Sequence, residues 1–104
     1  MHALLITFES TAALGDLAAP FAAYADALRA VPGLDAKVWL NDGPTVGGFH
    51  LFADRAAADA YLAGDLVAGL TANPAFGGFR VEHFGVLEDL TAVTGGRLAA
   101  KVPA

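Results

Sequence analysis

His50 is the side chain best suited to move a proton near neutral pH, because an imidazole titrates close to pH 6.5 and can accept the proton of a phenol. Asn41 and the Trp39 indole N–H carry donors that can hold the oxyanion left by such a transfer. All three fall in one stretch, Lys37 to Leu62, KVWLNDGPTVGGFHLFADRAAADAYL, which also holds the only Trp. Four more residues are candidates to touch a substrate: Thr7 and Glu9 near the N-terminus, Phe52, and His83. Each has a plainer reading as well. His50 can be a core or interface histidine bonded to backbone, and a large aromatic such as Trp39 on a buried strand needs no function to explain it.

These residues must be positioned by strands. Ala3 to Glu9 alternates apolar residues with Leu5, Thr7 and Glu9, the period of a strand with one buried face. Leu17, Phe21, Tyr24, Leu28 and Val31 then recur at spacings of four and three, one stripe of a helix that Pro32-Gly33 ends. Leu34 to Leu40 is a second strand, and Asn41-Asp42-Gly43-Pro44 turns the chain back into a third, Val46 to Ala53. Asp54 is placed to cap a helix from Arg55 to Ala63, with Leu62, Leu66 and Leu70 continuing the stripe past a weak point at Gly64 until Asn73-Pro74. Phe79 to Leu87 is a fourth strand, and residues 89–104 read as a C-terminal arm.

The order βαββαβ predicts a ferredoxin-like α+β fold, a four-stranded antiparallel sheet with both helices on one face. Both faces of the central strands are apolar, so the uncovered face is expected to pack against a second copy of the chain, giving a homodimer with an intersheet pocket. The helices are expected to take the aliphatic set Val38, Leu40, Phe49 and Leu51. Trp39, Asn41, His50 and Phe52 then point to the pocket, with Thr7, Glu9 and His83.

Composition narrows the functional classes. At 104 residues, 56% hydrophobic and 16% charged, the chain suits a single globular domain. A net charge of -5 with six scattered Lys and Arg argues against a nucleic-acid partner, and no apolar run reaches the length of a membrane span. The opening MHALLITFES has no basic n-region, so no secretory leader is expected, and the absence of cysteine suits the cytoplasm. No metal is expected, since neither HxH nor HExxH occurs, and no GxSxG, GxGxxG or GxxxxGK[ST] signals a hydrolase or a bound nucleotide.

Pro32-Gly33 followed by Lys37-Val38-Trp39, then Gly47-Gly48, Leu51-Phe52, Asp54, Ala60-Tyr61-Leu62, and Phe84, Val86, Glu88 and Leu90, form an ordered set. In that set the chain resembles the YdhR-like mono-oxygenase family of the dimeric α/β-barrel superfamily. The resemblance implies a homodimer and the oxygenation of a small aromatic or quinol-like substrate, with no metal or organic cofactor. Such a reaction needs a base, donors for an oxyanion and a dry cavity, the roles open to His50, Asn41 and Trp39. The alternative is a non-catalytic or stress-associated dimer that binds a small hydrophobic ligand. Polar groups converging in the cavity favour catalysis, and an all-apolar lining favours binding.

Overall fold

The computed structural model describes residues 1–95. The elements run β1 (His2–Ser10), a 3-10 turn at Leu14–Leu17, α1 (Ala18–Leu28), β2 (Leu34–Asp42), β3 (Thr45–Phe52), α2 (Arg55–Leu62), α3 (Asp65–Ala72), β4 (Phe76–Gly85) and α4 (Glu88–Thr94). The four strands form one antiparallel sheet in the order β2-β3-β1-β4, a ferredoxin-like α+β fold.

Local chemistry accounts for the boundaries. Pro20 lies in the first turn of α1, where its missing N–H has no intrahelical partner to lose. The Asp54 side chain accepts a hydrogen bond from the Ala57 N–H at 2.8 Å, capping α2. The second helical stripe breaks at Gly64, which becomes the N-cap of α3, so one expected helix is two. The β2–β3 turn is the pair Gly43-Pro44, with Gly43 at φ +58° in the first central position, where a two-residue hairpin requires positive φ. In the segment expected to be an arm, α4 occupies Glu88–Thr94, and residues 96–104 lie outside the described residues.

Residues directly opposite across an antiparallel ladder share a face. The register sets Lys37, His50, Leu4 and His83 in one row and Trp39, Gly48, Ile6 and Val81 in the next. These rows belong to the helix-covered face, because Leu4, Ile6, Phe52, Leu28, Ala58 and Tyr61 form the buried core. The opposite face carries the rows Val38, Phe49, Leu5, Glu82 and Ala36, Leu51, Ala3, Phe84. Val38 is 43% and Phe84 49% exposed there.

The face assignment expected from sequence is therefore inverted on β2 and β3. Trp39, His50 and Phe52 lie under the helices, and Val38, Leu40, Phe49 and Leu51 point away. The physical reason is in the α1 stripe, which presents Phe21 and Tyr24 to the sheet. Their rings pack on Trp39, at 5.3 Å for Phe21 and edge-on at 6.3 Å for Tyr24, a match that aliphatic side chains do not offer.

Candidate functional site

The site grows from β3. His50 is almost wholly buried, and its Nδ1 lies 3.0 Å from the Leu4 carbonyl oxygen on β1. A carbonyl can only accept, so Nδ1 carries the hydrogen and the neutral ring keeps its lone pair on Nε2. Burial holds the imidazole neutral, lowering its pKa to about 4. The neighbouring Lys37 charge assists, against the upward pull of the Leu4 and Gly48 backbone. Nε2 itself is buried and has no hydrogen-bond partner among the described residues.

Lys37 comes to the same place from β2, directly across the ladder from His50. Gly48 makes room for it: a Cβ at that position would collide with Lys37 Cε and would lie 3.1 Å from His50 Cε1. The Lys37 ammonium lies 3.6 Å from the centre of the Trp39 ring and 5.0 Å from that of Tyr24. Burial lowers its pKa to about 8. No carboxylate lines the cavity around it.

The helices supply the roof. Tyr24 of α1 and Tyr61 of α2 share a hydrogen bond of 2.6 Å between their hydroxyls. Burial raises the pKa of both, and for Tyr61 the bond to Tyr24 adds to the rise, so both phenols stay protonated. The Tyr61 ring centre lies 5.5 Å from that of His50. Together these groups enclose a cavity of about 20 Å³, room for about one water molecule. Lys37 and Trp39 also line an outer groove of about 220 Å³ between β2 and the end of α1, so these two side chains form the wall between cavity and groove.

Of the residues singled out from sequence, only His50 and Trp39 line this cavity. The site lies within one chain beneath its helices, which corrects the expected position on the open face of the sheet. Asn41 stands at the hairpin end, its amide spent on the Gly43 and Thr45 carbonyls at 2.9 and 3.1 Å. Thr7 and Glu9 are on the outward face, where Glu9 accepts a hydrogen bond from Thr45 at 2.6 Å. Phe52 is fully buried against Tyr61 as core. His83 shares the helix-covered face but lies beyond Leu4, with its Nδ1 2.8 Å from His2 Nε2. Among the described residues no three His, Cys, Asp or Glu side chains gather to hold a metal.

Lys37, Tyr24 and Tyr61 are the members that the sequence reading gave no catalytic role. A signal for Lys37 was present, since a lysine alternating with Trp39 along an apolar strand must share its face. The tyrosines read as helix stripe, and only the tertiary fold brings their hydroxyls together.

The chain matches the family described as "Putative mono-oxygenase ydhR" over residues 3–97. No curated protein matches it. Among solved structures it is similar to the NE2512 protein of unknown function from Nitrosomonas europaea. That pair is 33% identical, covers 83% of this chain and 88% of that one, and superposes with a TM-score of 0.63. A mutant of SnoaB, a cofactor-independent oxygenase from Streptomyces nogalater, shares the fold at 18% identity and TM-score 0.66, covering 83% and 92% of the two chains. A mutant of MhuD with two manganese protoporphyrin IX bound per active site does so at 21% identity and TM-score 0.64, covering 84% and 95%.

Proposed function

Because the chain belongs to the ydhR mono-oxygenase family, we propose that it oxygenates a small aromatic, quinol-like substrate without metal or organic cofactor, as a cytoplasmic homodimer. The observation that carries this reading is the bare, buried Nε2 of His50 beside the Lys37 cation. A quinol bound there gives an O–H proton to Nε2. The oxyanion that results is held by the Lys37 ammonium and a tyrosine hydroxyl, in a space too small for bulk water to compete. The anion beside the ring in turn raises the basicity of the imidazole, so proton acceptance and charge stabilisation support each other.

The electrons then come from the substrate. Quinol and dioxygen give a hydroxyquinone and water: one oxygen atom enters the ring, the other leaves as water, and the four electrons that reduce dioxygen are all the quinol's. The chain contributes the base, the cation and the dry walls. Asn41 has no part in this scheme, because the hairpin turn uses its amide.

Substrate must move the wall formed by Lys37 and Trp39, which joins the cavity to the outer groove. The homodimer rests on the outward face, where Val38, Leu40 and Phe84 stand exposed, and on Leu87, just before α4, and Leu90 and Val93 within it, which are exposed as well. A binding protein without turnover is the competing reading; the convergence of an imidazole, an amine and two phenols in one small cavity favours catalysis.

Oxygen uptake by metal-free protein over a panel of quinols and catechols tests the proposal. Uptake with hydroxyquinone formation, lost in His50→Ala, is the expected result. Silence across the panel, or uptake untouched by His50→Ala, overturns it.

A further inference from the structure

Lys37 has surroundings that a surface ammonium does not need. It is one of only two lysines in the chain, the other being Lys101. Its stem lies over Gly48, and its amine sits among the rings of Trp39 and Tyr24 with no ion pair among the described residues. The titratable groups around it are Tyr24 from α1, His50 from β3 and Tyr61 from α2, with Arg29 and Asp35 on the outer groove. Burial with no ion pair favours the neutral amine, the nucleophilic form, against the pull of the ring faces toward the cation. The amine stands near an imidazole nitrogen that has no partner among the described residues and can relay a proton.

We propose that Lys37 is a covalent capture site for carbonyl compounds, condensing reversibly with a small aromatic aldehyde or ketone that enters along the groove between β2 and α1. The Nζ lone pair attacks the carbonyl carbon while the C=O π pair moves to oxygen. A proton passes from nitrogen to that oxygen by way of His50 Nε2, and the carbinolamine loses water as C=N forms. One water leaves, no electron changes hands, and no second reactant is required. The outer groove, about 220 Å³, has the size to hold the aromatic ring against Leu28, Leu34 and Trp39 while the amine reaches its carbonyl, with Arg29 and Asp35 on its rim.

This activity needs neither oxygen nor turnover and goes beyond the mono-oxygenase reading. Oxygen uptake and carbonyl capture are separate measurements on the same protein, so either can fail alone.

The test is reductive trapping of the full chain with benzaldehyde and sodium cyanoborohydride, followed by peptide mapping of the benzyl adduct on Lys37 and Lys101. The expected result is an adduct rate at Lys37 at least about tenfold above that at Lys101 at pH 7.5. The Lys37 rate should reach half its maximum near pH 8, and the preference should vanish in urea. A smaller ratio overturns the proposal. So does a Lys37 rate still climbing past pH 10 as an ordinary lysine's does, or a preference that survives unfolding. All three readings come from the unmodified sequence, so none depends on a variant that might misfold; Lys37→Arg, which keeps the charge, must lose the adduct at position 37.

Discussion

The two faces of the sheet are equally apolar in sequence yet carry opposite kinds of side chain. Beneath the helices, the rows through His50 and Gly48 hold an imidazole, an amine and an indole, with two phenols closing the roof. On the outward face, Val38, Leu40, Phe49, Leu51 and Phe84 bring carbon, beside Thr7 and Glu9 of β1 and Arg80 and Glu82 of β4. Chemistry needs titratable groups in a dry space, and only the helices provide one within a single chain. Association needs apolar area, and the outward face offers it at Val38, Leu40 and Phe84. On the proposed reading, the alternation of side chains along one sheet would divide reaction from assembly.

The largest effect is expected from disabling the inner face alone. His50→Phe removes the proton acceptor while filling its space, and should lower oxygen uptake by roughly 10² to 10⁴, the usual worth of a general base. Lys37→Met should lose uptake to a similar extent. Oligomeric state, followed by sedimentation, should not change in either variant. Dissociation of the inner-face variants would erase the division between faces.

The converse experiment charges the outward face. Val38→Glu places a carboxylate on a side chain already 43% exposed in one chain, so the protomer itself should fold normally. Two such charges in a sheet-to-sheet contact should weaken association by at least about 100-fold. An unchanged association constant would place the interface elsewhere.

Acid should act on the inner face, which among the described residues holds the buried histidines. The folded pKa of His50 lies near 4, below the 6.5 of the unfolded chain. The unfolded state therefore binds the extra proton first, and stability present above pH 6.5 is lost as pH falls toward 4, by about 3 kcal/mol at most. Lys37 has the same sign in the alkaline range: its folded pKa near 8 lies below 10.5, so stability should rise between those values. Denaturant titration across pH should show the acid limb in the native chain and its loss in His50→Phe.

The smallest expected effect is at the roof. Tyr61→Phe removes the hydroxyl bonded to Tyr24 and should cost about 1 kcal/mol of stability by thermal unfolding, leaving association untouched. A loss several times larger would mean that the phenol pair, rather than the aromatic packing around Trp39, holds α1 and α2 over the sheet.

The order of the strands, the hairpin turn within Asn41-Asp42-Gly43-Pro44, the Asp54 cap and the family were legible in the chain, because each is written in local chemistry, whereas the break between α2 and α3 and the helix α4 were not. Nor was the facing of β2 and β3. Alternation divides Trp39 from Val38 and His50 from Phe49, but it does not say which set the helices cover when both are apolar. The register decides it, by placing Lys37 opposite His50 and His50 opposite Leu4. The α1 stripe held a clue, since Phe21 and Tyr24 find aromatic partners only if Trp39 lies beneath them. Asn41 was misplaced because its chemistry suits an oxyanion and a turn equally well, and the carbonyls of Gly43 and Thr45 are nearer.

The anchor of the His50 ring is main chain rather than side chain. Because the Leu4 carbonyl fixes the Nδ1 hydrogen, substitutions at position 4 can reshape the packing and still leave the same tautomer in place. The proton inventory of the cavity is inherited from strand pairing itself. Turning the ring about its own bond to bare the other nitrogen would forfeit the hydrogen bond to the Leu4 carbonyl, so the strand pairing selects the tautomer.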